Sequence, residues 1–136
     1  MSAIVVGWVP KPEGRAALRR AAEEAKLRGL PLVVVNSARG GRAFDAEDAA
    51  RSEEELAAVE RQLQDAGVQA EVHQLVRGRE VAEDIIAAAE ESQADIIVIG
   101  LRRRSPVGKL ILGSNAQRIL LDAPCPVLAV KADEDE

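Results

Sequence analysis

The sequence predicts a single α/β domain built on a mostly parallel sheet. Three observations carry that expectation. Short β-branched apolar runs recur along the chain, amphipathic helical segments alternate with them, and glycine or proline separates most of the segments. Apolar runs without polar alternation are expected where helices cover both faces of a parallel sheet. The 136 residues suit one domain, spanning residues 1–131, and contain no internal repeat or second domain.

The first strand is Ala3 to Trp8, apolar and β-branched, halted by Pro10 and Pro12. Glu13 to Lys26 follows as a helix, with Ala17, Leu18, Ala21, Ala22 and Ala25 on one stripe and charges opposite. Gly29 ends it, and Pro31 to Asn36 reads as the second buried strand. Ser37 to Arg42 contains paired glycines and reads as a loop. The next helix, Asp45 to Ala66, repeats Leu56, Val59, Leu63 and Ala66 at spacings of three and four, and its acidic run to Glu55 is a solvated face. Val68 to Val76 mixes polar with apolar residues, as an edge strand does. A helix over Glu80 to Glu91 turns Val81, Ile85 and Ala88 inward, and Ala94 to Gly100 is the fourth strand. Ser114 to Leu121 is the last helix and Val127 to Lys131 the last strand. The acidic segment 132–136 reads as a disordered tail.

Composition excludes several functions. The formal net charge of −5 gives no general attraction to nucleic acid or acidic membranes. Trp8 and Phe44 are the only aromatic residues, too few for a base-stacking platform. Cys125 is the sole cysteine, so no internal disulfide forms. Its place between two prolines reads as structural. His73 has no companion histidine, and no metal site is expected. Nor does any serine sit in a nucleophile-elbow pattern. The first residues read as a strand rather than a signal peptide, and no apolar run approaches membrane-spanning length, so a cytoplasmic address is expected.

In open α/β sheets ligands bind beyond the carboxyl ends of the strands, where the strand order reverses. The stretches to inspect are Val9 to Lys11, Asn36 to Ala38, Arg77-Gly78 and Gly100 onward. The last of these holds most information. Gly100 follows a buried strand and Gly113-Ser114-Asn115 opens a helix. Glycine permits close backbone approach to an anion, and a helix start offers unpaired N–H donors. Two readings remain for Gly113-Ser114-Asn115, a phosphate contact or a helix N-cap. Arg102 to Arg104 is either a solvated basic loop or, with Lys109, an anion-binding one. Ser105-Pro106 has the form of an N-cap followed by a first-turn proline.

Several segments resemble the universal stress protein family over essentially the whole chain. They are Ile4-Val-Val-Gly7, Ala16-Ala-Leu18, Ala94-Asp-Ile-Ile-Val-Ile-Gly100, Leu112-Gly-Ser114 and Ile119-Leu-Leu-Asp-Ala-Pro-Cys-Pro-Val-Leu-Ala-Val130. The Ala-Pro-Cys-Pro-Val within the last is the most specific. The resemblance implies a flavodoxin-like sandwich of about five strands in order 3-2-1-4-5, with helices on both faces. It also implies a homodimer joined through Val127, Leu128, Ala129 and Val130 of the last strand.

Nucleotide-binding members of that family carry G-x2-G-x9-G-[ST] after the fourth strand, and the motif holds ATP phosphates and ribose. Gly100, Gly113 and Ser114 match it here, with Asn115 following, and Arg103 stands at the second glycine. Such members also carry an aspartate after the first strand, toward the adenine or ribose, where this chain has Val9. Loss of that hydrogen bond weakens binding by about 1–3 kcal/mol. Arg103 either closes the cradle by adding a Cβ or supplies a guanidinium to a phosphate. Trp8 either walls an adenine pocket or fills it.

The resemblance thus implies a stress-response module that binds ATP or AMP weakly through a partly degraded loop. The alternative is a family member that binds no nucleotide and acts through dimerisation and protein contacts. Efficient catalysis is not expected, because the chain shows no general base, no Mg²⁺-binding acidic motif and no P-loop lysine. Slow ATP hydrolysis or nucleotidyl transfer would rest on fold analogy alone.

Overall fold

Five segments become the strands of one parallel sheet: β1 (Ala3–Gly7), β2 (Leu32–Ala38), β3 (Ala70–Val76), β4 (Ala94–Leu101) and β5 (Val127–Lys131). Their order is β3-β2-β1-β4-β5, as the resemblance implies for a flavodoxin-like fold. The computed structural model describes residues 2–38, 46–76, 80–101 and 113–132. Four helices connect the strands: α1 (Pro12–Arg28), α2 (Ala46–Asp65), α3 (Val81–Ser92) and α4 (Ser114–Asp122). The Ser105-Pro106 helix start lies outside the described residues.

Side-chain alternation divides the sheet's residues between two cores. Ile4, Val6, Leu32, Val34, Ile96 and Val98 face α1 and α2, against Ala17, Leu18, Ala21, Leu56, Val59 and Leu63. Val5, Val33, Val35, Ile97 and Ile99 face α3 and α4, against Ala82, Ile85, Ala89 and Ile119. The three inner strands are covered on both faces, which is why their sequences are almost uniformly apolar. β3 is an edge, in line with its mixed composition, and β5 is the other.

Several element boundaries move for physical reasons. α1 begins at Pro12, whose missing amide costs nothing in a first turn. It ends at Gly29 in the left-handed conformation (φ 65°), whose amide donates to the Ala25 carbonyl. β2 runs through Ser37 and Ala38, where a loop was expected, because pairing with Leu75 and Val76 extends it. Residues 39–42 of that loop lie outside the described residues. β3 starts at Ala70, since the Val68 amide instead donates to the Leu63 carbonyl and closes α2. Ala66 therefore falls beyond α2 and is exposed, not in the core. On α3 the fully buried positions are Ala82, Asp84, Ile85 and Ala89, while Val81 and Ala88 are only partly covered. Ala132, expected to begin a loose tail, is buried, and its amide donates to the Leu101 carbonyl. Residues 133–136 lie outside the described residues.

Two backbone contacts fix the start of α1 against the sheet. A Cβ on Gly14 would overlap the Val9 carbonyl oxygen and lie 2.6 Å from the Val9 nitrogen. A Cβ on Gly100 would overlap the Glu13 carbonyl oxygen and lie 2.6 Å from the Glu13 carbonyl carbon. Such contacts do not yield as a flexible side chain does, because the whole helix start must shift. Gly100→Ala is therefore expected to destabilise the fold by about 1–3 kcal/mol or more. Urea unfolding measures this, and an unchanged midpoint would contradict the close approach.

Candidate functional site

β1 and β4 are neighbours whose chains depart to opposite sides of the sheet order. From β1 the chain goes toward β2, and from β4 toward β5. That divergence opens a crevice at the carboxyl ends of the two strands. The crevice has two compartments. The inner one, of about 130 Å³, lies over apolar side chains that include Val35, Ile85, Ile99 and Ile119. The outer one, of about 360 Å³, adds Lys11, Leu101, Gly113 and Ser114. Val9, Glu13, Val81, Gly100, Asn115 and Ala116 border both, so the two are continuous.

The structure brings Val9, Gly100, Gly113, Ser114 and Asn115 together around this crevice. Arg103 lies outside the described residues, as do Arg102, Arg104 and Lys109. Gly100 has a reason to be glycine that involves no ligand, since the Glu13 backbone occupies the space of a side chain. Val9 offers only an apolar side chain at the wall.

The start of α4 differs from simple capping by Ser114 and Asn115. Gly113 is the N-cap and supplies no side chain, and Ser114 is the first helical residue. The first intrahelical bond runs from the Gln117 amide to the Gly113 carbonyl. The amides of Ser114, Asn115 and Ala116 thus precede the helical ladder, at residues that border the outer compartment. No acidic residue occupies the first turn of α4 to offset its positive end. Asn115 instead caps a different helix: its Oδ1 accepts a 3.1 Å hydrogen bond from the Ala82 amide in the first turn of α3. The N-cap of α3, Glu80, makes no side-chain cap bond of its own. Arg118 adds a surface tie between α4 and α3 through Glu83, at 3.0 Å.

Glu13 was missed by sequence reasoning. It stands in the first turn of α1, borders both compartments, and its Oε2 is buried without a hydrogen-bond partner among the described residues. In the sequence it is one more acidic residue at a helix start, with nothing to single it out. Lys11 lies in a stretch marked for inspection and now borders the outer compartment.

Trp8 borders the inner compartment, but it is 5% exposed and packs in the core on the α1 and α2 face. Its ring is therefore not the filling of the crevice. Cys125 is partly covered; burial first, and the nearby Asp95 carboxylate second, raise its thiol pKa, against a lowering backbone hydrogen bond at Ile97. The thiol stays protonated at neutral pH, as a structural cysteine does. His73 lies on edge strand β3, 3.2 Å from the Glu71 carboxylate. Among the described residues no group of acidic, histidine and cysteine side chains could hold a metal. No described helix is long and apolar enough to cross a membrane.

A five-stranded parallel sheet in this order, with helices on both faces and a crevice at its switch point, defines the class of flavodoxin-like α/β domains. Within that class the family is clear. The model of the universal stress protein family matches residues 1–131, and the chain belongs to that family. A universal stress protein of Mycolicibacterium smegmatis is 48% identical over 128 residues, covering 94% of this chain and 96% of its own length. The solved structure of a universal stress protein from Archaeoglobus fulgidus has a TM-score of 0.83 at 43% identity, covering 96% of this chain and 99% of that one. A second structure, of the universal stress protein from Archaeoglobus fulgidus in complex with dAMP, has a TM-score of 0.78 at 37% identity. It covers 96% of this chain and 98% of that one.

The Asn115 contact makes a direct prediction. Asn115→Ala removes the cap of α3 and is expected to cost about 0.5–2 kcal/mol, whereas Asn115→Asp keeps an acceptor there and stays near wild type. Chemical denaturation of the two variants checks this, and equal losses would mean that the cap is not the source of the stabilisation.

Proposed function

We propose that this chain is a stress-response module that binds an adenine nucleotide weakly in the β1–β4 crevice, without efficient turnover. The observation that carries this reading is the pairing of compartments. An apolar inner cavity suits a flat heterocyclic base, and an outer one beside the open start of α4 suits a phosphate. The dAMP complex of a relative at 37% identity supports it. Weak binding follows from Val9, which supplies no hydrogen-bond acceptor, and from Arg103 at a position where nucleotide-binding members have glycine. The absence of a P-loop lysine and Mg²⁺-binding acidic motif from the sequence supports binding without turnover. A cytoplasmic site of action belongs to the same reading.

Calorimetric titration with ATP, ADP and AMP tests it, together with a search for nucleotide released from denatured purified protein. Binding at up to millimolar nucleotide is expected, and its absence for all three would overturn the reading. In the same assay Val9→Asp combined with Arg103→Gly is expected to tighten ATP binding about tenfold or more. No gain would mean that something other than these two side chains limits the site.

A second reading, in which the chain works through homodimerisation and protein contacts, is favoured by β5. That strand ends the sheet, and α4, which leads into it, exposes Leu121 at 83% and Leu120 at 44%. Leu128 and Val130 pack on the α1-side core and Val127 on the other, which leaves the outer backbone edge and exposed Ala129 for a partner. A charge at Leu128 would disturb the core as well as an interface, so Ala129→Glu is the cleaner probe. The wild type is expected to sediment as a dimer and Ala129→Glu as a folded monomer. A persistent dimer would rule out the β5 edge.

A further inference from the structure

The buried carboxylate oxygen Oε2 of Glu13 makes no hydrogen bond that would tie it into the described fold. It has no hydrogen-bond partner among the described residues, although leaving a buried polar atom unpaired is unfavourable. Its backbone is fixed, because the Glu13 carbonyl lies against Gly100 and the residue belongs to the first turn of α1. The positive end of that helix is complemented by an acidic residue in its first turn. The residue borders both compartments, and so stands where the apolar cavity meets the outer one. An ionised carboxylate only accepts hydrogen bonds and repels a phosphate. The phosphate end of a ligand therefore goes to the start of α4, and the part between base and phosphate comes to Glu13. In a nucleotide that part is the sugar, whose hydroxyl groups are donors.

We infer that Glu13 recognises the sugar of the bound nucleotide, its carboxylate accepting hydrogen bonds from the sugar hydroxyls. This rests on the nucleotide reading above. The terminal torsion of glutamate is broad, so a modest turn of the carboxylate presents the buried oxygen to a donor. Ligand binding then satisfies an atom that the free protein leaves unpaired.

The test compares AMP, 2′,3′-dideoxy-AMP and IMP by calorimetry on wild type, Glu13→Ala and Glu13→Gln, with thermal melts of each free protein. Wild type is expected to bind AMP about tenfold or more tighter than dideoxy-AMP. Glu13→Ala brings the two to near parity by weakening AMP alone, and Glu13→Gln, which keeps a neutral acceptor, falls between. The free Glu13→Ala protein is expected to stay folded and to melt close to wild type, since Oε2 has no hydrogen bond to lose among the described residues and only a first-turn charge is removed. An unchanged AMP-to-dideoxy ratio in Glu13→Ala would overturn the inference while leaving the nucleotide reading in place. So would loss of AMP-over-IMP discrimination with the sugar preference intact, which would assign Glu13 to the base. Failure of wild type to bind AMP at all overturns both.

Discussion

The carboxyl end of the sheet is organised by two places where main chain meets main chain with no room for a side chain. Gly14 lies against Val9, and Gly100 lies against Glu13. Together they seat the first turn of α1 across the divergence of β1 and β4, the point at which the crevice opens. Helix α1 could cover the sheet by apolar packing alone, through Ala17, Leu18, Ala21 and Ala25. Such packing tolerates small shifts along a strand, whereas backbone contact does not. The seat of α1 beside the crevice therefore depends on the absence of two side chains.

The opposite wall follows a similar logic. α4 starts at Gly113, which brings no capping side chain, so the first amides of the helix are not claimed from within. The side chain best placed to cap, Asn115, turns to α3 and bonds the Ala82 amide. One residue thereby joins two helix starts that both border the crevice, and among the described residues no side chain caps α4. The Asn115 side chain thus serves α3, while the backbone of the same turn faces the outer compartment that the proposed function uses.

Much of the fold was legible in the sequence because the inner strands are covered on both faces. A strand such as Ile96 to Ile99 has no polar position to confuse its assignment. What the sequence obscured was set by partners distant in the chain. β2 is longer than its apolar run because β3 pairs with Ser37 and Ala38. β3 begins late because Val68 closes α2. Of the candidate site, the sequence singled out Gly100, Gly113, Ser114 and Val9, and these four do border one crevice. Their separate reasons were not legible. Glycine at 100 has the same one-letter signature whether a phosphate or a helix backbone needs the space. Asn115 looks like a local cap until α3 is seen beside it. Glu13 carries no pattern at all, because burial of one carboxylate oxygen is a property of the assembled crevice.

The placement of the acidic group bears on how such a site changes without being lost. An acceptor on the loop after β1 and an acceptor in the first turn of α1 border the same crevice, because Gly14 draws that turn onto Val9. The helical position has two advantages for a carboxylate: a fixed backbone and the positive end of a helix. Its drawback is that an oxygen is buried without a partner among the described residues. An aspartate on an open loop carries no such strain, since water reaches it. Apolar Val9 at the loop and Glu13 at the helix start thus form a coherent pair. The first gives the inner compartment an apolar wall, and the second, under the proposed nucleotide reading, sets a carboxylate where the inner and outer compartments meet.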